Sequence, residues 1–95
     1  MKYELVVYTM ESCGYCTDFK KLLEESNIYF HDRDIYKHAE EFDMYTKITQ
    51  TEFVPSVMLI QNPGKKNEKT HFFAPTKEYA TINEALELIK EHILL

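Results

Sequence analysis

An α/β domain with a four-stranded mixed sheet and three helices, in the order βαβαββα, is the fold that this 95-residue sequence predicts. Three observations carry the prediction. Strand-length runs rich in β-branched and aromatic residues alternate with stretches whose apolar residues recur at helical spacing, the pattern of layered α/β domains. Two early strand-like runs flank a helix, so they are expected to lie parallel through a right-handed crossover. The last two strand-like runs are joined by a short Pro-Gly segment, so they are expected to pair antiparallel.

Each element has its own signal. "YELVVYT", Tyr3 to Thr9, has the residue types and length of a strand. Ser12 is placed to cap a helix whose first turn holds Cys13, and Cys16, Phe19, Leu22 and Leu23 follow at helical spacing. Asn27 stands where a helix commonly stops. "NIYFHDRDI" reads as the second strand, and Asp34 as the cap of a helix carrying Ala39, Phe42, Tyr45 and Ile48 on one face. "PSVMLIQ" is a short apolar run suited to a buried strand, and "KTHFFA" is the strand that returns beside it. Between them Pro63-Gly64 fits the centre of a type II turn: proline presets the first central φ, and glycine accepts the positive φ of the second. Thr81-Ile82-Asn83-Glu84 has capping-box spacing, and Ile82, Ala85, Leu86, Ile89 and Ile93 form an apolar stripe behind it.

Composition narrows the function classes. Hydrophobic residues at 44% and charged residues at 28% are an ordinary globular balance, and two glycines and three prolines leave no linker-like stretch. One domain over residues 1–95 is expected. The net charge of -5, without a basic cluster, argues against nucleic acid as a partner, because phosphate neutralisation supplies most of that affinity. No segment approaches the roughly 20 apolar residues of a membrane span, and the N-terminus lacks the apolar core of a signal peptide. No membrane partner and a cytoplasmic location are expected, and in that reducing compartment a bare structural disulfide is rare.

The two cysteines, in "ESCGYCTDFKKLL", are separated by two residues. A zinc site would need two further ligands, and His31 and His38, with six residues between them, fall outside the usual finger spacing; no metal is expected. Two inert core cysteines are a second reading, since free cysteines are often buried, but Cys13 opens the helix and is hard to bury there. The third reading is redox. A C-x-x-C directly after a strand and opening a helix places Cys13 at unpaired N–H groups and the positive end of the helix dipole. Those favour the thiolate, which is the nucleophile. Cys16, nearly one turn on, can attack the mixed disulfide that Cys13 forms, while Glu11 opposes the thiolate by charge.

"CGYC" after a strand, Lys20 four residues past the second cysteine, "FVPSVMLI" and a C-terminal helix together resemble glutaredoxins over nearly the whole chain. The resemblance implies a thioredoxin-like fold, with Cys13 and Cys16 catalytic and Val54-Pro55 as a cis-proline substrate loop facing the dithiol. It implies that Tyr15 borders glutathione and that Thr76 keeps a contact to its γ-glutamyl end. Several positions depart from the family pattern. Gly14 replaces a proline and Met10 a lysine; Glu52 stands near the proline loop where a basic residue or glutamine helps. Phe73-Ala74 stands for a Gly-Gly, and Lys77 for an aspartate.

The function so implied is a glutaredoxin-like dithiol–disulfide oxidoreductase acting on protein disulfides or glutathione mixed disulfides. Disulfide-containing proteins, ribonucleotide reductase among them, are the implied partners of a monomer. No bound cofactor is expected. Glutathione would be a weakly held reductant or co-substrate, leaving a reductase of the thioredoxin type as a donor. The alternatives are a carrier of a [2Fe–2S] cluster held between two subunits, which Gly14 permits, and a non-catalytic binding module.

Overall fold

The computed structural model describes residues 2–93; Met1, Leu94 and Leu95, the ends of the expected domain, lie outside the described residues. The chain forms β1 (Tyr3–Thr9), α1 (Gly14–Glu25), β2 (His31–Asp34), α2 (Ala39–Thr49), β3 (Ser56–Gln61), β4 (Lys69–Phe73) and α3 (Ile82–Ile93), the expected order. The sheet order is β2-β1-β3-β4. β1 and β2 are parallel, with Val7 beside Asp32; β1 and β3 are antiparallel, with Tyr8 opposite Ser56; β3 and β4 are antiparallel, with Val57 opposite Phe73.

β1 is central and covered on both faces. Leu5 and Val7 pack with Val57 and Leu59 against Phe19 and Leu23 of α1 and Ala85 and Ile89 of α3. Val6 and Tyr8 face the other way, onto Phe42 and Tyr45 of α2. This explains why "LVVY" shows no apolar-polar alternation: both faces of the strand are buried. Each large side chain so buried contributes about 1.5–3 kcal/mol. Tyr45 also carries a polar tie. Its hydroxyl is bonded to the Val57 carbonyl at 2.9 Å and accepts the Val57 N–H at 3.2 Å, joining α2 to the sheet. Burial pushes the Tyr45 phenol up to about 12, so it stays a neutral donor.

Local signals hold at most ends. Asn27 is left-handed, φ 57°, and the Ile28 and Asn27 N–H groups bond to the Leu23 and Glu24 carbonyls, which closes α1 as a Schellman motif. Gly64, φ 78°, and the Lys65 N–H to Asn62 carbonyl bond make the expected turn. At α3 the Glu84 N–H bonds to Thr81 Oγ1, and Glu84 Oε1 accepts from the Ala80 and Thr81 N–H groups. Those backbone bonds hold the Glu84 carboxyl below the usual carboxylate range.

Three local expectations are corrected. The second strand is His31–Asp34 only. Asp34 does not cap α2: its Oδ1 accepts from the Tyr36 and Lys37 N–H groups, making a turn that delays the helix until Ala39. On α2, Phe42 and Tyr45 are buried but Ala39 and Ile48 are exposed, because residues three apart drift by about 60° per step around a helix, which carries both to the edges of the buried face while Thr49 takes the inward place in the last turn. Among the described residues, no helix is long and apolar enough to cross a membrane.

Candidate functional site

α1 begins one residue later than expected, and this changes the role of Cys13. Ser12 is left-handed, φ 63°, and is not the cap. Cys13 is the N-cap, with φ −102° and ψ 104°, and its Sγ accepts the Cys16 N–H at 3.1 Å. The sulfur thus occupies the place where a serine or aspartate oxygen normally satisfies a free helix N–H. Cys13 and Cys16 are joined in a disulfide with Cα atoms 5.2 Å apart. Cys16 lies on the apolar face of α1, 1% exposed, whereas Cys13 is partly open to solvent. Gly14 is the first helical residue, and a Cβ there would meet nothing within 4 Å.

Strand register assembles the remaining residues. β3 starts opposite the last residues of β1, so Val54-Pro55, just before Ser56, leaves the same end of the sheet as the loop to Cys13. The Val54-Pro55 peptide bond is cis. β4 ends opposite Val57, so the segment holding Thr76 leaves that end too. Thr76 is exposed and left-handed, φ 68°, and its N–H is taken by the Tyr79 carbonyl at 2.8 Å. Tyr15, in the first turn of α1, is 72% exposed. Cys13, Cys16, Tyr15, Val54, Pro55 and Thr76 therefore all sit at one end of the sheet.

The flanks of this end are polar. On the β2 side a cleft of about 310 Å³ is lined by Met10, Glu11, Ser12, Lys20 and Asp32, among others. Lys20 Nζ is 2.9 Å from Asp32 Oδ2, and Thr9 Oγ1 donates to Asp32 Oδ1 at 2.6 Å. Burial pushes the Asp32 carboxyl up, but the bonds from Thr9 and Lys20 and the lysine charge outweigh it and hold the group below its usual range. On the α2 side a hollow of about 410 Å³ is lined by Lys47, Gln50, Thr51, Glu52 and Phe53. Lys47 and Glu52 bring opposite charges to it, and the Thr51 hydroxyl beside them is buried without a partner. Among the described residues, no three or more His, Cys, Asp and Glu side chains are grouped to hold a metal ion.

Two contributors were missed from sequence. Tyr79, buried directly after the exposed Thr76, Lys77 and Glu78, donates its hydroxyl to the Pro55 carbonyl and so ties the segment after β4 to the proline loop. Glu78 Oε1 accepts the Ala74 N–H at 2.8 Å, so a backbone donor at the Phe73-Ala74 position is already satisfied within the chain. A lone aromatic in a polar segment was the available signal for Tyr79; nothing in the sequence marked Glu78.

A family model described as Glutaredoxin matches residues 5–61. No curated protein sequence matches the chain. Among solved structures, glutaredoxin from Brucella melitensis is similar at a TM-score of 0.55 and 15% identity, with 96% of this chain and 83% of that chain covered. Trichomonas vaginalis thioredoxin is similar at 0.59 and 17% identity, covering 97% and 77%. The Trx4 domain of ERdj5 follows at 0.56 and 17%, covering 97% and 80%. The fold shared with these proteins is thioredoxin-like, as the sequence predicts.

Proposed function

Since the chain belongs to the glutaredoxin family, we propose that it is a thiol–disulfide oxidoreductase that reduces protein disulfides and glutathione mixed disulfides through Cys13 and Cys16. The observation that carries this reading is the Cys13 sulfur seated as the N-cap of α1, bonded to the Cys16 N–H. In the reduced protein the same N–H and the helix dipole favour a thiolate there. The Cys13 thiolate attacks one sulfur of the substrate disulfide; the S–S bond breaks, and the other sulfur leaves as a thiolate. Cys16, deprotonated in turn, attacks the Cys13 sulfur of the mixed disulfide. The Cys13–Cys16 disulfide forms, the second substrate sulfur leaves, and two electrons have passed to the substrate.

Tyr15 and the Val54-Pro55 loop would flank the substrate, with the Val54 backbone offered to an extended chain in the manner of strand addition. Tyr79 would hold the loop through the Pro55 carbonyl.

Glutathione is the proposed co-substrate rather than a resident cofactor, and its binding is weak. It carries two carboxylates and one ammonium. Glu52 opposes a carboxylate in the α2-side hollow, Lys77 opposes the ammonium, and the Ala74 N–H is occupied by Glu78. Losing two charged contacts at about 1.5–3 kcal/mol each would raise the dissociation constant a hundredfold or more, although exposure reduces that figure. A protein reductase of the thioredoxin type is therefore the proposed main donor, and a ribonucleotide reductase disulfide in the cytoplasm a proposed target. The test is steady-state reduction of a protein disulfide driven either by glutathione with its reductase or by thioredoxin reductase. Turnover by neither system, with the dithiol intact, would overturn the oxidoreductase reading. Saturation at low glutathione would overturn only the weak-binding part.

A further inference from the structure

At the end of the sheet away from the dithiol, the last turn of α3 meets the β3–β4 hairpin, and two histidines lie against each other. The rings of His71 on β4 and His92 on α3 are 4.5 Å apart between centroids and tilted by 59°. Their hydrogen bonds decide which nitrogen of each carries the proton. His92 Nδ1 is 2.7 Å from the Leu88 carbonyl; a carbonyl only accepts, so Nδ1 holds the proton and Nε2 keeps its lone pair. The His92 carbonyl accepts from Gln61 Nε2 at 2.9 Å, which turns the Gln61 Oε1 toward His71. That oxygen is 2.9 Å from His71 Nε2 and also only accepts, so His71 is protonated at Nε2 and free at Nδ1. One chain of bonds thus uses one nitrogen of each ring and leaves His71 Nδ1 and His92 Nε2 as the nitrogens it does not use.

We propose that His71 Nδ1 and His92 Nε2 form a two-histidine site for a divalent transition metal, taking Cu²⁺ in preference to Zn²⁺. Imidazole is a ligand of choice for both ions, and copper is the stronger at a given nitrogen site. The ring separation is short enough for one ion at about 2.0–2.1 Å from a nitrogen of each. The other ring nitrogen of each histidine donates its N–H to an oxygen, the arrangement that orients ligating histidines and raises their basicity. Phe73 lies 5.1 Å from His92 and walls one side, while His71 and His92 remain partly open so that an ion can enter. With no third His, Cys, Asp or Glu grouped there among the described residues, water completes the coordination. Lys69, two residues before His71 on β4, opposes the cation and limits the affinity.

The test uses the oxidised protein, in which the disulfide withdraws both cysteines from competition. Cu²⁺ is titrated in competition with a chromophoric chelator. One equivalent is expected to bind. His71→Ala and His92→Ala should each weaken binding more than tenfold and Gln61→Leu about tenfold or more, because orienting partners count nearly as much as ligands. The His31→Ala, His38→Ala double variant should bind as the parent does. Imidazole nitrogen NMR of the unmodified protein with Zn²⁺ provides a reading that needs no variant: His71 Nδ1 and His92 Nε2 should shift. Equal affinity in the parent and both single variants, or shifts confined to His31 and His38, would overturn the proposal.

Discussion

In the reduced protein, alkylation at neutral pH should fall almost entirely on Cys13, and the structure sets the margin. A hydrogen bond to a charged group contributes about 1.5–3 kcal/mol and the helix N-terminus about 0.3–1 kcal/mol. The lower ends sum to about 1.8 kcal/mol, on the order of a twentyfold gain in thiolate at Cys13. Part of that is returned, because nucleophilicity falls as the thiolate becomes more stable; with a Brønsted slope of about 0.5 a roughly fourfold rate gain survives. Glu11, exposed beside the site, trims it further. The larger factor is on the other cysteine. Cys16 is 1% exposed on the apolar face of α1, where a reagent in solvent has little access to its sulfur. With the roughly fourfold gain at Cys13 and a buried Cys16, the ratio of Cys13 to Cys16 labelling should exceed about ten. Peptide mapping by mass spectrometry after a brief pulse of iodoacetamide at pH 7, stopped at low conversion, measures it. Comparable labelling of the two would refute the reasoning, as would a Cys13→Ser variant that, rather than Cys16→Ser, accumulates mixed disulfides with protein substrates.

Other perturbations read different parts of the molecule. Gly14→Pro should be accepted, because the position is the first of the helix, has open space for a side chain and follows an extended Cys13; stability should rise by about 0.4–1 kcal/mol in urea unfolding. Tyr79→Phe should cost about 1–3 kcal/mol and raise KM for a protein disulfide while the Cys13 alkylation rate stays unchanged; an unchanged KM would remove its positioning role. Glu52→Gln should lower KM for glutathione severalfold in steady-state titration, and no change would place Glu52 outside the carboxylate subsite. Asp32→Asn should cost at most about 1 kcal/mol near neutral pH, since the Lys20 pair is substantially exposed. The folded Asp32 carboxyl is held low, so its contribution is present above the unfolded value of about 3.9 and fades as pH falls through the folded one. Wild type and variant should therefore converge in acid, and a gap that widens there would contradict the pairing.

Local chemistry settled much of the architecture before any contact was known. β-Branched runs, the Pro63-Gly64 turn, Asn27 and the Thr81–Glu84 box act over a few residues, so element order and most ends follow from sequence alone. The C-x-x-C between β1 and α1 likewise marked two cysteines that could pair, because two residues of spacing on a helix start already bring the sulfurs together. Competition among neighbouring groups defeated the finer reading. Ser12 and Asp34 both have capping side chains, yet Ser12 turns left-handed and hands the cap to Cys13, and Asp34 spends its oxygen on Tyr36 and Lys37. The exposed Ile48 shows that a stripe of residues three apart drifts off the buried face of its helix, since each step falls short of a full turn. Tertiary structure alone decided the long-range ties, such as Tyr79 to Pro55 across 24 residues and Gln61 to His92 across 31. Those pairings depend on strand register and on the angle at which α3 crosses the sheet, and no short window of sequence carries either quantity.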